Sequence, residues 1–241
     1  MGGAKEISIK IIPVQTANEF VIKHHYSGTV THTVLLHFGV FIHGVLHGVM
    51  QFGGPMAKNT VIGLVVDANG EPAPWNDMLE LNRMAFDDVL PKNSESRAIA
   101  IAVRLIKKYA PHIKWLLSFA DGCQCGDGTI YRASGFMLTG FSQGGMWELP
   151  DNLVPIAGKR VVHRMSVQNK SGDFSRWILS QDGGQNHQME YYVEKYGGRL
   201  LDGYQLRYIK ILDPAYHLAV PELPYSAIQA KGAGMYKGEK R

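Results

Sequence analysis

Two cysteines, Cys123 and Cys125, are all that the 241 residues contain. With one residue between them they are badly placed to bridge each other, which excludes a disulfide framework and fits a reducing compartment. Long apolar runs are missing too: none approaches the roughly 20 residues that a membrane helix needs. The start Met1-Gly2-Gly3-Ala4-Lys5-Glu6 lacks the apolar stretch of a secretory signal. Together these absences predict a soluble intracellular chain. Internal repeats and low-complexity tracts are also lacking. What is present, 45% hydrophobic and 10% aromatic residues with 19% charged, suits one sizeable core or a core with a small appendage and excludes disorder.

The net charge of +4 is unevenly spread. Residues 1–158 carry 12 basic against 13 acidic side chains, and residues 159–241 carry 13 against 8, ending in the basic segment Lys231 to Arg241. Such asymmetry can mark a surface that faces nucleic acid, and it can equally be an ordinary solvated tail.

Hydrophobic periodicity and breaker residues give the element order. A strand is expected over Ile7 to Val14. The capping box Thr16-Ala17-Asn18-Glu19 then starts a helix that packs through Ala17, Phe20 and Val21 and ends near His25 to Gly28. A hairpin follows, Thr33 to Ile42 and Val45 to Phe52, turning at His43-Gly44. The segment from Asn59 to Trp75, rich in Gly, Pro, Asn and Asp, reads as irregular. Met78 to Phe86 is a strand with Glu80 and Arg83 as its charged members. Asn93 caps a helix through Tyr109 whose stripe is Ile99, Ala102, Val103 and Ile106. Lys114 to Ala120 is a doubly covered strand, and Asp127 opens a short helix closed by Gly135. Phe136 to Phe141 and Gly145 to Leu149 form a second hairpin. Beyond Pro150 come a strand at Arg160 to Val167, a helix at His187 to Tyr196 and a final strand at Tyr204 to Leu212. This order predicts an α/β fold: a mixed central sheet flanked by helices, with a basic C-terminal elaboration. A catalytic core over 1–157 is expected, with 158–241 completing the sheet and adding basic surface within one compact domain.

Three places could hold chemistry. The helix start at Asn93 offers backbone amides, with Lys92, Ser94, Ser96 and Arg97 around it, to a phosphate; such residues also simply cap helices. Asp121 stands just past a buried strand, where open α/β sheets hold ligands, and is the best acid/base candidate; its alternative is a turn residue bonding the amides of Gly122 and Cys123. Tyr131, on the short helix, could donate a proton or be a core aromatic. Six of the ten histidines lie between His24 and His47, but no spacing matches a closed zinc motif, so structural or surface roles are expected. An open iron site built from His25, Asp121 or neighbours is the minority reading, and the metal is left unassigned.

The strand feeding a phosphate-ready helix, followed by Tyr131-Arg132-Ala133-Ser134-Gly135-Phe136, resembles the GNAT acyltransferase superfamily. That resemblance implies an acetyl-CoA or related acyl-CoA donor whose pyrophosphate lies at the long helix start, with the Tyr protonating the departing thiolate. The superfamily's usual Gln/Arg-x-x-Gly-x-Gly/Ala loop is replaced here by Lys92-Asn93-Ser94-Glu95-Ser96-Arg97. Over most of the chain, His24-His25-Tyr26, Glu80-Leu81-Asn82-Arg83, Pro91-Lys92-Asn93-Ser94-Glu95-Ser96, Ser118-Phe119-Ala120-Asp121 and Gly128-Thr129-Ile130-Tyr131 resemble the Mom DNA-modification proteins of Mu-like phages, a divergent GNAT branch. Those proteins convert adenine in phage DNA to N6-methylcarbamoyladenine, against host restriction. The resemblance implies functional positions at His25, Tyr26, Arg83, Ser96, Asp121 and Tyr131. It further implies double-stranded DNA with a flipped adenine as substrate, action in the bacterial host's cytoplasm, and no membrane partner. A homodimer and an iron-assisted step stay open, as do two other readings: an ordinary GNAT enzyme acylating a small amine or protein, and a noncatalytic DNA-binding protein.

Overall fold

The computed structural model describes residues 4–55, 57–123, 126–168, 172–236 and 239–240. In chain order the first elements are β1 (Ser8–Ile11), α1 (Val14–His24), β2 (Val34–Ile42), β3 (Val45–Gly53), β4 (Val65–Val66), β5 (Met78–Phe86), α2 (Ser94–Tyr109), β6 (Trp115–Asp121), α3 (Thr129–Ala133) and β7 (Met137–Gln143). Then come β8 (Met146–Glu148), α4 (Val154–Ala157), β9 (Val161–His163), α5 (Arg164–Gln168), α6 (Asp173–Ser180), α7 (Met189–Tyr196) and β10 (Arg199–Leu201). The chain closes with β11 (Tyr204–Ile211), β12 (His217–Leu218), α8 (Ser226–Ala230), β13 (Met235–Tyr236) and β14 (Glu239–Lys240).

Seven strands form one sheet in the order β1-β2-β3-β5-β6-β11-β7. Its first four are antiparallel neighbours, whereas β5 and β6 run parallel because α2 crosses between them. The mixed sheet with helices is the expected class. The β2–β3 hairpin turns where it should, with His43 at φ 49° and Gly44 at φ 82°, left-handed conformations that suit a two-residue turn. The stripe of α2 is buried at Ile99, Ala102, Val103 and Ile106.

Several expectations are corrected. α1 starts at Val14 rather than at a Thr16 capping box: Pro13 is the N-cap and its carbonyl accepts the Ala17 amide at 3.1 Å. Asn18 is then free to face inward, and its Oδ1 accepts from Gln51 Nε2 at 2.8 Å. The second hairpin does not form. β7 joins the large sheet, while β8 pairs with β9 and β10 in a separate three-stranded sheet. Gly144 and Gly145 are used for close approach instead of turning: a Cβ at Gly144 would lie 2.4 Å from Cys123 Sγ, and one at Gly145 would lie 2.8 Å from Arg164 Cδ. The Arg160 to Val167 strand is only β9, after which α5 begins; α6 went unforeseen; β11 is followed by further short strands. The short helix opens after Gly128, at φ 77°, rather than at Asp127.

The chain forms two compact units. The first comprises 1–120, 128–141 and 206–228, and the second 121–127, 142–205 and 229–241. Within the first unit, α1 covers one sheet face through Ala17 and Val21 against Val49 and Ala85, and Val61, Leu64 and Val65 pack on Met78, Trp115 and Leu117. Within the second, Trp147 is the centre: fully buried, it packs with Phe174 and Tyr192 and donates Nε1–H to the Gly197 carbonyl at 3.0 Å.

Candidate active site

β5 builds the site through an irregularity. Phe52 of β3 pairs with Leu81, yet the next residue back, Gln51, pairs with Arg83, so Asn82 is the extra residue of a bulge. Strict alternation would send Glu80 and Arg83 to opposite faces; the bulge puts them on one. Glu80 lies opposite Gly53 and Arg83 opposite Gln51, two positions apart on β3. On its other flank β5 keeps a parallel ladder with β6 for three rungs, Met78–Trp115, Leu79–Leu116 and Glu80–Leu117. Glu80 is the last rung. Beyond it the ladder stops, with the Ser118 hydroxyl reaching the Leu81 carbonyl at 3.4 Å. The parting carboxyl ends of parallel strands are where α/β sheets take ligands.

Arg83 is the hub of this corner. Its Nε–H donates to the Thr29 carbonyl at 3.1 Å and an Nη1–H to the Asn82 carbonyl at 2.7 Å. That tethers the 25–33 segment, which follows α1, to β5. His25 holds its own loop: Nδ1 accepts the Ser27 amide at 3.1 Å and lies 2.8 Å from the Ser27 hydroxyl. With Nδ1 accepting, the neutral ring carries its proton on Nε2. Burial, then the Arg83 charge, pushes the His25 pKa down to about 3, so the ring is neutral at physiological pH. Tyr26 packs against it, tilted by 31° with centroids 4.3 Å apart, and is 50% exposed. Burial also lowers the Arg83 pKa, while Tyr26 and Glu80 raise it.

In the sequence Glu80 stands out only as a charged member of its strand, not as a site residue. Burial raises its carboxyl to about 7, although the Asn82 amide and Arg83 both pull it down. Asn82 is itself buried; one amide N–H goes to the Gly54 carbonyl at 3.2 Å, and among the described residues its Oδ1 has no donor. Three polar groups in four residues of an otherwise apolar strand were the available signal.

The other expected positions fall as follows. Lys92 is exposed, and Asn93 sits at φ 71° before α2 without a side-chain cap. The Ser94 hydroxyl donates to the Pro91 carbonyl at 2.6 Å and the Ser96 hydroxyl to the Asn93 carbonyl at 3.2 Å, so both spend their protons on the loop; Arg97 is half-buried on the first turn. Tyr131, buried on α3, packs between Phe136 and Tyr208 at 5.7 and 5.4 Å between centroids. Asp121 opens the second unit, where its Oδ1 accepts the Cys123 amide at 3.0 Å.

The histidines serve nearby groups. His47 Nδ1 meets Asp87 at 2.8 Å, Gln51 Nε2 donates to His37 Nδ1 at 3.2 Å, and His43 faces Glu6 at 3.5 Å. Among the described residues no group of three or more His, Cys, Asp or Glu is placed to hold a metal, so the iron reading gains no support; Cys125 lies outside those residues. Nor is any described helix long and apolar enough to cross a membrane.

Fold and cluster together define an α/β protein with a partly buried group of acid, amide and guanidinium where a short parallel ladder ends. The chain belongs to the Mom protein family, whose model matches residues 6–227. It is 35% identical over 148 residues to the methylcarbamoylase Mom of Escherichia phage Mu, a match covering 61% of this chain and 59% of that protein. Similar solved structures include an IAA acetyltransferase from Bacillus cereus, at 11% identity and TM-score 0.43 over 85% of this chain and 99% of that one. Another is the ribosomal-protein-S5-alanine acetyltransferase from Vibrio fischeri, at 9% identity and TM-score 0.45 over 87% and 95%.

Proposed function

We propose that this chain is a phage DNA-modification enzyme that converts adenine to N6-methylcarbamoyladenine in double-stranded DNA within the host cytoplasm, protecting phage DNA from restriction. Membership of the Mom family and the likeness to the Mu methylcarbamoylase support this reading. The observation that carries it is the gathering of His25 and Tyr26, distant in sequence from Arg83, around the Arg83 guanidinium near the end of the β5–β6 ladder.

The exocyclic amine of adenine is a poor nucleophile because its lone pair is delocalised into the ring, so the site must fix its position and exclude water. A duplex buries that amine, and the base has to be extruded to reach it. The half-exposed ring of Tyr26 offers a stacking face, while the neutral His25 offers an N–H without adding charge. Arg83 fixes the segment that carries both.

The residues fit an acyl-CoA-type donor. Past the Glu80–Leu117 rung the facing edges of β5 and β6 share no further ladder and would bond an extended amide-bearing arm as a further strand would. Lys92, Arg97 and the amides around Asn93, Ser94 and Ser96 at the start of α2 suit phosphate. When bound, a thioester donor whose acyl group is methylcarbamoyl would supply the activated carbonyl, the methylamino nitrogen and a thiolate leaving group. Tyr131 would hold the proton for that thiolate.

Expression of the full chain in cells followed by mass spectrometry of nucleosides from plasmid DNA tests the reading. A deoxyadenosine carrying the methylcarbamoyl mass, with plasmid resistant to several restriction enzymes, is the expected result. Unmodified nucleosides from cells with abundant soluble protein overturn it, and acylation of a small amine or protein instead would identify an ordinary N-acyltransferase.

A further inference from the structure

Glu80 stands at the one rung where the parallel ladder ends, and the bulge at Asn82 turns Arg83 onto its face. Its rung partners, Gly53 on β3 and Leu117 on β6, bring no charge and no hydrogen-bonding side chain. The position of Gly53 admits nothing larger, since a Cβ there would lie 2.1 Å from the Thr33 carbonyl oxygen. The carboxyl therefore meets polar groups chiefly from its own strand: the Asn82 amide and the Arg83 guanidinium. His25 and Tyr26, from the segment after α1, act on that same guanidinium. Asn82 adds a second observation, a buried Oδ1 acceptor with no donor among the described residues, next to a carboxyl that can accept a proton. A buried carbonyl oxygen without a donor is costly, so a ligand bearing N–H groups is the complement of this pair. An exocyclic amine has two such hydrogens.

Resting on the functional reading above, we propose that Glu80 is the catalytic base that takes the proton from the attacking adenine amine, while Asn82 Oδ1 holds the amine's other hydrogen. The donor is a methylcarbamoyl thioester, which already carries the methylamino nitrogen of the product: the amine nitrogen bonds to its carbonyl carbon and the carbon–sulfur bond breaks. One amine proton passes to the Glu80 carboxylate, and the thiolate leaves as a thiol with a proton supplied by an acid in the site. The carboxyl titrates near neutrality, at about 7, so that both its proton-free and its protonated forms are populated at working pH, which is the condition for an efficient base that must be regenerated each cycle. A base with a carbonyl in place of the amine offers Glu80 no proton and sets oxygen against the Asn82 oxygen. The pair thereby selects amino over keto bases.

The test compares wild type, Glu80→Gln and Glu80→Asp in the full chain. Modified deoxyadenosine per plasmid should fall by about 100-fold or more in Glu80→Gln, while Glu80→Asp, which keeps a displaced carboxylate, retains a measurable part. Binding to an unmodified adenine-containing duplex, read by fluorescence anisotropy, should be retained by both variants. In the purified wild-type chain the Glu80 carboxyl carbon, followed by NMR, should titrate near pH 7. Wild-type modification by Glu80→Gln, or titration of Glu80 in the ordinary carboxylate range, overturns the proposal. A wild type that leaves plasmid adenine unmodified overturns the functional reading instead, and the NMR titration then still reports whether Glu80 has the character of a base.

Discussion

Two carboxylates, one in each unit, lie beside a cation and are displaced in opposite directions. Asp182 of the second unit bonds Lys195 and accepts the Tyr191 hydroxyl at 3.0 Å, and the Lys195 ammonium first of all lowers its pKa. His187 stacks on Tyr191 with centroids 3.9 Å apart, so this cluster too holds an acid, a base, a histidine and aromatic rings. Glu80 of the first unit has Arg83 and Asn82 near it, and its pKa still rises. The difference is where the cation spends its donors. Lys195 gives its charge directly to Asp182, whereas the Nε and Nη1 hydrogens of Arg83 go to the Thr29 and Asn82 carbonyls. A carboxylate that takes an ammonium and a hydroxyl directly, as Asp182 does through Oδ1, is a structural element. At Glu80, desolvation outweighs the Asn82 amide and the Arg83 charge, and the carboxyl is held where it can exchange a proton near neutral pH.

Removing the cation from each cluster sharpens the contrast, and Arg83 gives the largest expected effect. In Arg83→Met, DNA modification should fall by about 100-fold or more, because the tether to Thr29 and the charge are lost together. The titrations discriminate further. Arg83 lowers the pKa of both Glu80 and His25, so both midpoints should move upward in the variant when followed by NMR. Midpoints that stay in place would show that the guanidinium does not govern this corner.

Much of the frame that holds Arg83 was legible in the sequence. β5 appears at its expected bounds, the β2–β3 hairpin turns at His43-Gly44, and α2 runs to Tyr109 with its expected stripe, because each is a local pattern in which period and punctuation agree. His25, Tyr26 and Arg83 could be singled out by resemblance alone. Glu80 could not be placed beside Arg83, because parity three residues apart puts them on opposite faces, and only the register against β3 reveals the bulge at Asn82. Register is a property of two strands. The same limit hid the fate of β7: Gly144-Gly145 looks like a hairpin turn until Cys123 and Arg164, both remote in sequence, are seen to need the space. Asp121 shows the opposite case, for its turn-residue alternative is visible in the bond from the Cys123 amide.

An intermediate effect concerns stability. A carboxyl whose folded pKa, about 7, exceeds its ordinary value of 4.5 binds its proton more tightly in the folded state. Folding is therefore favoured by protonation, and the charged form opposes it: stability falls as pH rises from about 4.5 to about 7 and stays low above. Glu80→Gln removes the buried charge while keeping the shape. It should raise stability at pH 8 by on the order of 2 kcal/mol and change little at pH 4, as measured by denaturant unfolding at the two pH values. His25 works the other way. Its depressed pKa makes the neutral ring favourable above pH 6.5 and costs stability as pH falls toward 3, so His25→Gln should flatten the acid limb of the same profile.

The smallest effect is expected at the other cluster. Asp182 has a lowered pKa, so its contribution is present above the ordinary carboxylate range and is lost as pH falls through the folded value. Asp182→Asn should lower the Tm slightly at pH 7, and the difference should close in strong acid. Lys195 is partly exposed, with 35% of its side chain accessible, so salt should screen the pair and shrink the difference at 1 M ionic strength. DNA modification should stay within about twofold of wild type, as for surface changes away from a reacting centre. A loss of modification as large as that at Arg83, with the Tm unchanged, would mean that the ammonium-paired carboxylate is the chemical one, and the distinction between the two clusters would fall.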